Sequence, residues 1–464
     1  MFQNVLEAAH GKDFIQGIGV LLALMFITGL AALVCQRIHF SYSIGLVLLG
    51  LAVSWYGSRW GEGTWLMVFE QVRLPQDMLL YLFLPALIFE AALGLDPKKL
   101  RQNLAPILML AAPGVVFATL LTGFLVHLFT PLGWGPAMIF GALISTTDPV
   151  AVIAKFRELK APDRLTMLVD GESLFNDAAA IVLFGILVEI VREGQSLAAS
   201  TLLRAALEFA CVFAGGFVAG LAVGALGCQL IRLGHNLERG LRRVLRVLFS
   251  ICIAYGSFLL AQGVLGLSGV MAVVGAGMLV SHWVRTRESD RSLYHLREYW
   301  NIAAFLVNSM VFLLLGFTEH YLLKELGADF EDNILMAVLT CLVVCLIVLL
   351  TRGVLVYATT PLSSRLPGQE PISAGYKAVM VWGGIRGALP VGLAMSLSWR
   401  DFGAGVSEGQ GAHIRSLIVV FTVSVVVFTL VLQGLTIRAL MARFGLVQDG
   451  QAPHPSEEPP EKRN

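Results

Sequence analysis

Charged side chains are scarce: Asp, Glu, Lys and Arg make up only 14% of the 464 residues, while 56% are hydrophobic. A soluble domain carries roughly 25% charged residues, and a mean hydropathy of +0.76 excludes one here. The chain reads as an integral membrane protein. Net charge is also small, with 33 Lys and Arg against 32 Asp and Glu, so no excess of either sign points to nucleic acid or an acidic partner. The six cysteines (Cys35, Cys211, Cys228, Cys252, Cys341, Cys345) lie in or at the ends of apolar segments, with neither metal-ligand spacing nor the clustering of a disulfide framework. A basic leader is missing too. The first apolar run follows Glu7 and Asp13, is too long for the apolar core of a signal sequence and has no convincing cleavage site, so it is expected to remain as a helix.

What the sequence does have is long apolar runs. Measured against the roughly 20 residues that cross a bilayer core, they predict an all-α polytopic membrane protein of thirteen spans: 14–35, 41–56, 78–93, 104–129, 134–154, 167–191, 205–231, 247–263, 264–284, 299–317, 333–351, 377–398 and 416–437. Cations test this division. They crowd onto the connections after odd-numbered segments, as at Lys98, Lys99 and Arg101 or Arg239, Arg242 and Arg243, and are sparse on the other side. The positive-inside rule then sets the N-terminus outside and the C-terminus in the cytoplasm. The tail at 447–464 is polar and Pro-rich, is expected to be disordered, and leaves no sign of a large soluble regulatory domain.

A few ionisable residues fall inside these spans, where each costs about 2.5 to 3.5 kcal/mol on insertion scales. Among them are Glu90, Asp148, Glu172, Asp177 and Arg386. Ser173 and Asp177 are four residues apart, as are Glu172 and Asn176, so the four form one polar stripe on a helix that cannot face lipid. Pro149 disfavours helix at Asp148, and a break there frees backbone carbonyls near Thr146 and Thr147. Gly383, Gly384, Gly387 and Pro390 interrupt segment twelve in the same way. Two interrupted helices in corresponding halves are the mark of inverted repeats meeting at a mid-membrane site.

This inventory suits a hard monovalent cation, because a carboxylate, hydroxyls and freed carbonyls are oxygen ligands while thiols and imidazoles are missing. A partly desolvated Asp177 would take either a proton or a cation near neutral pH. Competition for that one group gives exchange. Arg386 needs an anion, and Glu172 is the first choice, as a structural pair. Asp148 is either a ligand or a cap for a half-helix. Glu90 either orients Asn176 or marks the cytoplasmic interface.

The blocks "LFLPALIFEAAL" (82–93), "STTDPVAV" (145–152), "GESLFNDAAAIVLF" (171–184) and "WGGIRGALPVGLA" (382–394), in this order, resemble the NhaP-type sodium/proton antiporters. That is the branch of the cation/proton antiporters that includes the eukaryotic sodium/proton exchangers. The resemblance implies an NhaA-like fold, with helices of 14–93 and 247–317 as a dimer scaffold, 104–191 and 333–437 as an ion-translocating core, and 205–231 as a linking helix. It further implies that Asp177 binds the cation and the proton, that Ser173 and Thr147 join it around Na⁺, and that Glu90 lies nearby in contact with Asn176. Glu172 and Arg386 would be the family's structural ion pair and Asp148 its helix-break carboxylate. The "ND" at 176 and 177, where electrogenic relatives carry "DD", implies electroneutral exchange. The resemblance also implies a homodimer in the plasma (inner) membrane, an elevator-like movement and a part in pH homeostasis. No cofactor is expected.

Three other readings compete. A K⁺/H⁺ antiporter keeps the fold, since cavity size decides among Na⁺, Li⁺ and K⁺. A cation channel lacks support from any repeated filter-like loop. An intramembrane hydrolase based on Ser173 finds no histidine base, because the nine histidines lie mostly at segment ends or in loops.

Overall fold

The computed structural model describes residues 19, 22–35, 37, 42–60, 78–148, 150–195, 199–234, 238–287, 290–330, 334–403 and 405–447. The start of the first expected span and the tail beyond 447 lie outside them. Every described regular element is helical. In chain order they are α1 (Leu22–Cys35), α2 (Tyr42–Trp60), α3 (Leu84–Gly94), entered through a π-turn at Met78–Phe83, α4 (Pro97–Gln102), α5 (Leu104–Ala111) and α6 (Pro113–Phe129). Next come α7 (Trp134–Ile144), α8 (Val150–Glu158), α9 (Asp163–Arg192), α10 (Ala199–Leu233) and α11 (Arg239–Leu259). The remainder are α12 (Gly269–Arg287), α13 (Asp290–Phe330), α14 (Ile334–Ser363), α15 (Ala374–Trp382), α16 (Ala388–Ser396), α17 (Glu408–Phe428) and, after a π-turn at Thr429–Gln433, α18 (Gly434–Arg443).

Among the described residues, six helical stretches are long and apolar enough to cross a membrane: Leu104–Phe129, Asp163–Arg192, Leu203–Leu233, Gly240–Val264, Leu335–Ser363 and Glu408–Arg443. Many of their outward side chains are large and apolar, among them Leu203, Val218, Leu339 and Leu350, as a lipid-facing surface requires. Segment five breaks at 145–148 and segment twelve at 383–387, where Pro and Gly signals predict interruption. Segment eleven differs from expectation. A ruler of about 20 residues ends it at 351, but the helix continues to Ser363 and carries Arg352 into the protein interior.

Two neighbourhoods flank the site. On one side α2 packs along α13, α3 along α12, and α10 along both α11 and α12. Without hydrophobic attraction between helices in lipid, close backbone approach has to supply the packing. Gly220 on α10 permits it, since a Cβ there would meet the Ala272 carbonyl carbon at 2.6 Å and Cα at 2.7 Å. On the other side α6 packs on α7, α14 on α6 and α17, and α9 on α5 and α7, around buried Phe140, Phe421, Leu143 and Ile418. Arg164 anchors the start of α9 by donating to the carbonyls of Glu370 (2.6 Å) and Pro371 (3.3 Å) and to Asn103 Oδ1 (3.1 Å).

Candidate functional site

The two chain breaks touch. The Asp148 N–H donates to the Ile385 carbonyl at 2.8 Å, so the unwound stretch between α7 and α8 is hydrogen-bonded to that between α15 and α16. Each break leaves carbonyls at the C-terminus of a half-helix without intrahelical donors, and a buried arginine serves each. Arg386 Nη1 donates to Ser145 O (2.8 Å) and Thr146 O (2.6 Å), at the end of α7. Arg352 donates to Met380 O through Nε (3.3 Å) and Nη2 (3.1 Å), near the end of α15. A cation at a helix C-terminus is stabilised by the macrodipole as well as by the hydrogen bonds.

This geometry corrects the expected Glu172–Arg386 pair. Glu172 is fully buried and both its oxygens accept from Arg352, with Nη2 to Oε2 at 2.7 Å and Nη1 to Oε1 as the second contact. Arg386 takes the half-helix carbonyls instead and its backbone N–H donates to Thr429 Oγ1 at 3.1 Å. The physical reason is that partial charges at a helix end can serve a guanidinium in place of a carboxylate. Arg352 escapes a sequence reading that treats it as a loop residue; the apolar run "GVLVYA" after it is the signal that the helix continues.

Between the breaks and α9 lies a set of oxygens. Thr147 Oγ1 and Ser173 Oγ are hydrogen-bonded at 2.9 Å, and the Asn176 amide donates to Thr147 Oγ1 at 3.4 Å. The Thr147 backbone N–H and the charges of Asp148 and Arg386 act on the Asp177 carboxylate. Asp177 Oδ1 and Asn176 Oδ1 are buried without a hydrogen-bond partner. Such an orphaned acceptor is costly, and Asp177, on one cavity wall with the Thr147 and Ser173 hydroxyls, is ready for a proton or a hard cation. Among the described residues no His, Cys, Asp or Glu cluster of metal-holding arrangement occurs.

Asp148 stands against the N-terminus of α16. A Cβ added to Gly387 would meet Asp148 Cβ at 2.5 Å and Cγ at 2.8 Å, so only glycine lets the two breaks approach this closely. Gly387→Ala is expected to push Asp148 aside and cost about 1–3 kcal/mol, the usual range for overpacking. Thermal unfolding and ion exchange measured on the same preparation check this.

Asp148, Thr147, Ser173 and Asp177 line one cavity of about 400 Å³, whose wall also includes Glu90 and Asp170. Glu90 does not contact Asn176 by a hydrogen bond, contrary to expectation. Its electrostatic neighbours are Asp170, Arg157 and Arg297, because α3 docks on α12 and α13 and sets Glu90 on the cavity wall with Asp170 and Arg157. Sequence reasoning misses Asp170; it sits one turn before the stripe on α9, in the same helical run.

Two interrupted helices, hydrogen-bonded at their breaks beside the Asp177 carboxylate and opening on a mainly apolar cavity into which carboxylates and hydroxyls project, define an ion-coupled secondary transporter. Residues 20–443 match the transmembrane sodium/hydrogen exchanger family model, and the chain belongs to that family. It is 31% identical over 450 residues to the Na⁺/H⁺ antiporter ApNhaP of Aphanothece halophytica, covering 96% of this chain and 78% of that protein. It is 35% identical over 386 residues to the Na⁺/H⁺ antiporter NhaG of Bacillus atrophaeus, covering 82% of this chain and 66% of the other. Its fold is similar to that of the sodium proton antiporter MjNhaP1 of Methanocaldococcus jannaschii, with a TM-score of 0.69 at 17% identity over 93% of this chain and 99% of that one. Membership makes the protein a multi-pass membrane antiporter of the sodium/proton exchange class and not an enzyme.

Proposed function

We propose that the protein exchanges Na⁺ for H⁺ one for one, the two ions competing for Asp177, with Li⁺ accepted at the same oxygens. The observation that carries this reading is the buried Asp177 Oδ1 without a protein partner, beside the Thr147 and Ser173 hydroxyls. A carboxylate so enclosed is stabilised by either a proton or a cation and by neither together, which couples the two flows. If Asp177 alone changes its ligand, the loaded carrier has the same charge in both crossings and exchange is electroneutral. Asn176 supports this, since a second carboxylate there would alter the charge carried.

The wider reading has thirteen spans in inverted repeats, the N-terminus outside and the C-terminus in the cytoplasm, in the plasma (inner) membrane as a homodimer that serves sodium and pH homeostasis. The core helices 104–191 and 333–437 move in elevator fashion against the scaffold 14–93 and 247–317, with 205–231 linking them. Supporting the linking role, α10 touches α9 of the core as well as α11 and α12 of the scaffold.

The test is exchange in everted vesicles holding an imposed pH gradient. Added Na⁺ should dissipate the gradient, and in the acid range the apparent KM for Na⁺ should rise by about tenfold for each unit that pH falls, as simple competition requires. A KM independent of pH would contradict a shared site. Running Li⁺ and K⁺ in parallel ranks the cations. Asn176→Asp should make the exchange rate respond to a valinomycin-set membrane potential that leaves the native protein unaffected.

A further inference from the structure

Beside the second break is a further space of about 10 Å³ lined by Gly384, Arg386, Arg352, Thr429, Gln433 and Cys345. It has room for one water and none for a hydrated ion. Two buried polar atoms belong to residues on its wall, and neither has a hydrogen-bond partner: Arg386 Nε, a donor, and Gln433 Oε1, an acceptor. Both side chains are well enclosed, at 5% and 2% exposure. The π-turn at Thr429–Gln433 carries Thr429 Oγ1, which accepts from the Arg386 backbone N–H at 3.1 Å, and ends on Gln433. A π-turn inserted into an otherwise regular helix often re-aims side chains at a functional centre.

We propose that Gln433 is a positioning residue for the ion site, fixing Arg386 through a single water held between Arg386 Nε and Gln433 Oε1. Arg386 in turn holds the Ser145 and Thr146 carbonyls, which set the backbone of Thr147 beside Asp177. The chain of support runs from the last membrane helix, through one water, to the cation shell. Donor and acceptor are matched: the guanidinium N–H donates to the water and the water donates to the amide oxygen. A support of this kind, one step removed from the ligands, typically changes ion affinity by about 10–100-fold when lost.

This inference rests on Asp177 being the ion site, and two measurements keep the two ideas separable. The first needs no transport at all: a density map of the native protein that resolves ordered waters should show one peak within hydrogen-bond reach of both Arg386 Nε and Gln433 Oε1, and an empty space there overturns the proposal. The second uses Gln433→Met, which keeps the side chain's length and removes its acceptor, and Gln433→Glu, which restores an acceptor. Gln433→Met should raise the apparent KM for Na⁺ by about tenfold, the low end of that range, with kcat and the pH dependence of KM retained. Gln433→Glu should restore the native KM. A Gln433→Met protein with native KM, or one that loses kcat and leaves KM unchanged, overturns the positioning role; loss of folding in that variant leaves the density map to decide.

Discussion

Asp177→Asn should yield a folded protein in which Na⁺ no longer dissipates an imposed pH gradient. The amide keeps the shape of the carboxylate, so contacts around α9 persist. What disappears is the charge that holds the cation and the group that holds the proton. A unit charge about 4 Å away at an effective dielectric of about 20 is worth roughly 4 kcal/mol, which corresponds to about three orders of magnitude in affinity. Stability should move the other way, because a buried carboxylate oxygen without a partner is replaced by a neutral group that is easier to desolvate. The expected pair of results is therefore an exchange rate at background and a thermal midpoint equal to or above the native value. Exchange at the native rate in the variant would remove Asp177 from the mechanism. A lowered midpoint would mean that the Asp177 charge stabilises the fold, and would contradict a carboxylate kept in the core for its ion alone.

The residues around Asp177 are legible in the sequence because the relevant signals are local. The spacing of Ser173 and Asp177 gives one helical face, and the Pro and Gly around Asp148 and Gly387 give the breaks; both are properties of a few consecutive residues. The partners of the buried charges are not legible, because they depend on which helices meet. Glu172 and Arg352 are 180 residues apart, and nothing in either neighbourhood names the other. The expectation that Arg386 needs a carboxylate also leaves out the half-helix ends that the breaks themselves create, so the interruption is visible in the residues while its electrostatic consequence is not. Glu90 differs for a third reason. Its own helix is evident from the apolar run, but its direction is set by the docking of α3 on α12 and α13, which hydropathy does not encode.

The second large effect concerns those partners. Arg352→Met should cost about 3–5 kcal/mol, the usual penalty for leaving one member of a buried ion pair uncompensated. Glu172 would then be a fully buried carboxylate with neither of its two donors. Met380 O would lose its donor as well. The double variant Glu172→Met with Arg352→Met should recover much of that loss, since replacing a whole buried pair by apolar groups of similar volume is often near neutral. The coupling energy between positions 172 and 352 is then at least about 2 kcal/mol. The same cycle run on Glu172 with Arg386 should give a smaller coupling, because the two charges act on each other without a hydrogen bond: Arg386 donates to the Ser145 and Thr146 carbonyls and Glu172 accepts from Arg352. Unfolding midpoints in one detergent, for all variants of both cycles, measure this. Strong coupling at 172 and 386 with none at 172 and 352 would reverse the assignment and return the two arginines to each other's roles. The expected outcome instead separates two clamps: Arg352 joins Glu172 on α9 to the end of α15, while Arg386 ties the second break to the end of α7, so that both interrupted helices are fixed relative to the carboxylate that carries the ion.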